Sequence, residues 1–133
     1  MEQYNLKLKV LDDDLCICRL EPSARIPAWI TTGTFFSITR TEEELSIVCS
    51  RNTMSEDTGS QMVCEKEWKC IKVEGPLDLS LTGILAHLSS ALADAGISIF
   101  AISTYDTDYL LVKEKELENA IIVLISHGYS VDC

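Results

Sequence analysis

An α+β fold of two βαββαβ repeats, each an antiparallel sheet with helices on one face, is what the sequence predicts. Three observations carry it. The stretch from Lys69 to Cys133 switches between strand and helix periodicity in the order β, α, β, β, α, β. A hairpin-like pattern in the first half recurs in the second. The 133 residues are 47% hydrophobic, enough for a core in one compact unit or two very small domains. The repeats divide the chain into 1–64 and 65–133.

Along the chain, Leu6, Leu8 and Val10 alternate as a first strand, at nearly the same offset from Cys70, Lys72 and Glu74. Pro22 to Thr32 carries two prolines, Trp29 and little periodicity, so the helix of the first repeat is short or degenerate. Phe36, Ile38, Thr39, Ile47 and Val48 form a hairpin. They fall opposite Phe100, Ile102, Ser103, Leu111 and Val112 at an offset of 64 (100 minus 36), with Glu42 and Glu44 opposite Asp106 and Asp108. Arg51 to Gly59 is polar and rich in turn formers, a surface loop and the seam between repeats.

Lys69 to Val73 alternates as a strand, and Glu74-Gly75-Pro76-Leu77-Asp78 ends it with turn chemistry. Leu81, Ile84, Leu85, Leu88, Leu92 and Ala95 keep helical spacing, with Ser80 or Thr82 as N-cap and Gly96 as C-cap. Ile97 to Tyr105 is nearly continuous apolar β sequence, and Asp106-Thr107-Asp108 turns it into Tyr109 to Val112. A second helix starts near Lys115, with Leu117, Ala120, Ile121, Leu124 and Ile125 on one side. His127 stands near its negative end and Gly128 closes it. Tyr129 to Asp132 adds the last strand.

Charge narrows the partners. Asp and Glu number 21 against 11 Lys and Arg, a net charge of −10, which repels polyanions and excludes nucleic acid as the expected ligand. The N-terminus has neither a basic nor an apolar signal region, and the most apolar stretches are too short to span a bilayer, so a cytoplasmic protein without a membrane partner is expected. Six cysteines without a CxxC pair are expected to be reduced thiols rather than disulfides or a zinc site. No cofactor and no metal are expected.

The stretch Val73-Glu74-Gly75-Pro76-Leu77-Asp78-Leu79-Ser80-Leu81-Thr82-Gly83-Ile84-Leu85-Ala86, followed by Ala95 to Val112, resembles the aspartate-kinase type of ACT domain. More narrowly it is similar to the small two-ACT bacterial proteins related to the CASTOR arginine sensors. Ile26-Pro27-Ala28-Trp29 and Phe35 to Cys49 resemble the corresponding segments of those proteins, so the likeness spans most of the chain. It implies ferredoxin-like repeats that pair through their sheets, and amino-acid ligands held where a strand–helix loop meets a neighbouring repeat. One departure is that the usual Pro-Gly at the helix start is Thr82-Gly83 here.

An amino acid presents a carboxylate and an ammonium group, so its site needs N–H donors on one side and acceptors on the other. The segment Asp78, Leu79, Ser80, Leu81, Thr82, Gly83 and Ile84 leads into a helix start with unpaired N–H groups, where Gly83 leaves room for a carboxylate and Ser80 and Thr82 add hydroxyls. Ser103, Thr104, Tyr105, Asp106 and Asp108 supply carbonyls and negative charge for the ammonium group or a cationic side chain. The resemblance singles out Thr104, Tyr105 and Asp108 among them. The same residues also suit a plain structural role: Asp and Ser before a helix, a close-packed Gly83, and ordinary hairpin-turn chemistry. His87 and His127 fit a packed or solvated histidine, since neither has a nucleophile beside it in the sequence pattern.

These observations point to a non-enzymatic sensor that binds a small molecule, an amino acid, and acts on a partner. The alternative is an interaction module that pairs with another ACT-containing protein and has no ligand. A catalytic site would need paired carboxylates, a nucleophile with its base, or a phosphate loop, and the sequence shows none of these patterns. Sheet faces left uncovered by two helices predict a homodimer.

Overall fold

A four-residue polar turn between two apolar strands is stable when its first side chain can cap its last backbone groups, and the chain builds this turn twice. In the computed structural model, which describes residues 6–54, 62–74 and 83–133, the elements run β1 (Lys7–Val10), β2 (Leu15–Leu20), β3 (Phe36–Arg40), β4 (Leu45–Ser50), β5 (Val63–Val73), α1 (Ile84–Asp94), β6 (Phe100–Ser103), β7 (Asp108–Lys113), α2 (Leu117–Ser126) and β8 (Ser130–Asp132). Arg40 pairs with Leu45 across the first turn and Ser103 with Asp108 across the second. Thr41 N donates to Glu44 O at 2.9 Å, and Thr104 N to Thr107 O at 2.8 Å. The two threonine hydroxyls accept the backbone N–H of Glu44 and Thr107 at 3.2 and 3.3 Å.

These matched turns correct the repeat offset from 64 to 63 (103 minus 40). The difference matters because side chains alternate faces, so a slip of one residue exchanges core for solvent. At 63, Ile47 and Cys49 superimpose on Leu110 and Val112, and all four face their own cores. An offset of 64 matches Phe36 with Phe100, one residue out of register with the paired strands.

The chain forms two compact units, and they do not follow the division at 64 and 65 that the repeat suggests. One joins the segment up to Asp12 with Lys69–Cys133, and the other is Asp13–Trp68. In the first, the strands lie in the order β6-β7-β5-β1-β8. β1 runs antiparallel to the end of β5 (Leu8↔Val73, Val10↔Ile71) and parallel to β8 (Leu8↔Val131). The first strand of the chain therefore completes the C-terminal unit instead of opening an N-terminal one, and one strand pair is parallel where only antiparallel pairs were expected. Leu8, wholly buried between Lys7 and Lys9, explains why: its core is that of β5, α1 and α2.

Helix α1 buries Ile84, Leu88, Ala91 and Leu92, the i, i+4, i+7, i+8 stripe of a helix lying on a sheet. It ends on Gly96 at φ +76°, where Ile97 N bonds Leu92 O at 3.0 Å and Gly96 N bonds Ala93 O at 2.9 Å, a Schellman closure. The equivalent bonds close α2, from Gly128 N to Ile125 O and Tyr129 N to Leu124 O. A 3-10 turn at Glu114–Glu116 precedes α2. Ala120 and Leu124 are its buried positions, whereas Ile125, expected on the same face, is 53% exposed beside Ile122.

The Asp13–Trp68 unit is an antiparallel sheet in the order β3-β4-β2 with the first part of β5. Its degenerate helix region is a 3-10 turn at Ala28–Thr32 that buries Ile30. The Arg40 guanidinium donates to the carbonyls of Pro22 and Ala24, holding the proline-bearing segment that leads to it. Pairing of β5 with β2 shifts between Leu15↔Trp68 and Ile17↔Glu65, and Glu67 there has φ +70°, the extra residue of a β-bulge. The seam loop predicted from Arg51 to Gly59 opens with a 3-10 turn at Arg51–Thr53, and its remainder from residue 55 lies outside the described residues.

Candidate functional site

The residues expected to meet a ligand fall into two sets; the second is described in full, and of the first only Gly83 and Ile84 are. Asp78, Leu79, Ser80, Leu81 and Thr82, with the caps assigned to Ser80 and Thr82, lie outside the described residues. Gly83 precedes α1 with φ +83°, a left-handed conformation that strains any residue with a β-carbon. Its carbonyl accepts the His87 N–H at 2.8 Å and starts the helical ladder. Gly83 gives no side-chain cap, so the first N–H groups of α1 keep the positive end of the helix dipole. Ile84 is buried in the core of this unit.

The second set sits on the β6–β7 turn. Ser103 Oγ donates to Asp108 Oδ1 at 2.6 Å, and Thr104 Oγ1 donates to Thr107 O at 3.0 Å. Three of the five predicted groups are thus hydrogen-bonded within the turn, as its plain structural reading requires. Tyr105, 81% exposed, and Asp106 project from its tip.

One residue that the sequence did not single out organises this end of the unit. Thr107 is only 5% exposed, and its hydroxyl donates to Val73 O at 2.6 Å. Val73 is the last residue of β5, so this bond pins the β6–β7 turn to the strand end from which the 75–82 segment departs. The corresponding position of the first turn is Glu44, which is not buried, so only one of the two turns is anchored this way. The signal available in the sequence was a second threonine at the last position of the turn.

Near the start of α1, His87 Nδ1 and Tyr129 Oη lie 2.5 Å apart with their rings edge to face. Tyr129 is buried and His87 half-buried, which ties the first turn of α1 to the start of β8. His127 is exposed and bonds back to Val123 O through Nδ1 at 2.9 Å, a helix-end contact.

All six cysteines are free thiols, and no cluster of His, Cys, Asp or Glu among the described residues is arranged to hold a metal. Burial first, then the neighbouring sulfurs of Cys49 and Cys64, push the Cys16 thiol from 9.0 up to about 11. A raised thiol pKa means the fold favours the protonated form. That stability is intact below pH 9 and is lost as pH rises through about 11. Urea midpoints should therefore fall over that window more steeply for the natural protein than for Cys16→Ala. Equal slopes would deny Cys16 the effect.

No helix among the described residues is long and apolar enough to cross a membrane. Residues 63–126 match the ACT-domain family model, and a model of an N-terminal domain matches residues 13–57. A crystal structure from Agrobacterium tumefaciens is 41% identical, covers 96% of this chain and 92% of its own, and has a TM-score of 0.87.

Residues 63–126 belong to the ACT-domain family.

This ACT protein is also similar to the human cytosolic arginine sensor for mTORC1 subunit 1, at 32% identity over 95 residues. The match takes in 68% of the chain but spans only 29% of the sensor's length. The regulatory subunit of aspartate kinase from Thermus thermophilus shares the fold, with a TM-score of 0.62 at 12% identity over 86% of this chain and 93% of that one. The ferredoxin-like α+β architecture and the regulatory ACT kinship implied by the motifs are thus both found.

Proposed function

We propose that this ACT protein is a cytoplasmic sensor that binds a free amino acid at the start of α1 and the β6–β7 turn, works as a homodimer, and has no catalytic activity of its own. The observation that carries it is the Thr107 to Val73 bond, which sets the carboxylate-bearing turn beside the end of β5. The ligand carboxylate meets the N–H groups that follow Gly83, and Asp78 to Thr82, outside the described residues, are proposed as ligand-binding with them. The ammonium group, or a basic side chain, meets Asp108 through the oxygen that Ser103 does not use. The similarity to an arginine sensor makes basic amino acids the first ligands to try.

A thermal-shift screen against the twenty amino acids tests this directly. A ligand at about a hundred times its dissociation constant adds roughly 2.7 kcal/mol of stability. Asp108→Asn keeps an amide oxygen to accept the Ser103 hydroxyl but removes the charge, so it should melt as the natural protein does and lose the response to a basic amino acid. An unchanged response would move the site elsewhere. The second reading, a module that pairs with another ACT-containing protein, is favoured by the hydrogen bonds already closed within the turn. It predicts no response to any amino acid.

A further inference from the structure

Four of the six cysteines come together in the Asp13–Trp68 unit. Cys16 and Cys18 stand two apart on β2, Cys49 on β4 pairs with Cys16, and Cys64 on β5 pairs with Cys18. The Cys18 thiol is in hydrogen-bond contact with both Cys49 and Cys64. Cys16, Cys18 and Cys49 are buried, and Cys64 is only half-buried.

Strand register decides which of these thiols a disulfide can join. Residues directly opposite on antiparallel strands have Cα atoms about 4.5–5.5 Å apart, within the roughly 4.4–6.8 Å that a disulfide spans. Diagonal neighbours lie at about 7–8 Å, beyond reach without backbone movement. Cys18 with Cys64 and Cys16 with Cys49 satisfy this, and Cys18 with Cys49 does not. Accessibility separates the two remaining pairs, because an oxidant must reach one sulfur first. Only Cys18–Cys64 offers it one.

We propose that Cys64 and Cys18 form an oxidisable pair that a hydroperoxide converts to a cross-strand disulfide between β2 and β5. The Cys64 thiol gives up its proton and its sulfur attacks a peroxide oxygen; the S–O bond forms, the O–O bond breaks, and the leaving hydroxide or alkoxide takes up that proton to depart as water or an alcohol. The Cys18 sulfur then displaces hydroxide from the Cys64 sulfenic acid, forming the S–S bond as the S–O bond breaks. The Cys18 proton leaves with the hydroxide as water. The two thiols together lose two electrons, and the peroxide gains them. Hydrogen bonds to Cys49, burial and contact with Cys64 hold the Cys18 thiol protonated, so the order of events runs from Cys64 inward.

The test uses the full chain carrying Cys133→Ser, which removes the exposed terminal thiol. It is treated with limiting hydrogen peroxide, alkylated and digested with trypsin. Cleavage after Lys9, Arg19, Arg40, Arg51 and Lys66 puts Cys16 and Cys18, Cys49, and Cys64 on three separate peptides. The expected product has lost two hydrogens and joins Val10–Arg19 to Asn52–Lys66 through Cys18, reversibly with dithiothreitol. Cys64→Ser abolishes it and Cys49→Ser retains it. Cys64 carried to sulfinic acid with Cys18 still alkylated, a bridge to the Cys49 peptide, or a disulfide between two chains would each overturn the proposal.

Discussion

Leu88→Ala is expected to destabilise the C-terminal unit by about 2 to 5 kcal/mol, the largest single effect foreseen for a side chain remote from any ligand. Leu88 is wholly buried at the centre of the α1 stripe. Its core brings together Leu8 of β1, Ile71 and Val73 of β5, Leu110 and Val112 of β7, and Leu124 of α2. Truncation leaves a cavity lined by rigid strand residues that cannot collapse into it, which places the loss toward the upper end of that range. Urea unfolding followed by far-UV circular dichroism measures it. A change under about 1 kcal/mol would mean that α1 does not pack on the sheet as described.

Thr107→Val should cost about 1 to 3 kcal/mol, because a near-isosteric side chain replaces a hydroxyl and deprives the buried Val73 carbonyl of its bond. Thr107→Ser keeps the hydroxyl and is the control that separates the hydrogen bond from the lost methyl. The valine variant should also lose the response to an amino acid, since the turn that carries Asp108 is no longer tied to the end of β5. A valine variant as stable and as responsive as the serine one would remove Thr107 from the account.

Much of the C-terminal unit was legible because its signals are local. The α1 stripe from Ile84 to Leu92 and the Gly96 and Gly128 closures follow from spacing and turn chemistry alone, whereas the second turn, expected at Asp106-Thr107-Asp108 after a strand reaching Tyr105, runs from Thr104 to Thr107 and leaves Asp108 in β7. Leu6 to Val10 was legible as a strand but not as a neighbour of β8, because strand pairing across the chain leaves no mark in local periodicity. The exposure of Ile125 was hidden for a related reason. α2 is apolar nearly all round, and which stripe turns inward depends on the sheet beneath it.

At the site, the residue types were legible and their arrangement was not. Asp108 was visible as a turn residue and Thr104 as part of a strand end, yet the sequence could not show that Ser103 and Thr107 claim them as partners. Thr107 escaped notice because its importance lies in reaching Val73, 34 residues away.

The central claim, that an amino acid binds where α1 begins and the β6–β7 turn ends, is tested most directly by a two-dimensional amide NMR titration of the full chain with each of the twenty amino acids. A binding amino acid should shift the amides of residues 83–86 and 103–108 in a saturable way. Shifts confined to residues 13–68, or spectra unchanged by every amino acid, would contradict it.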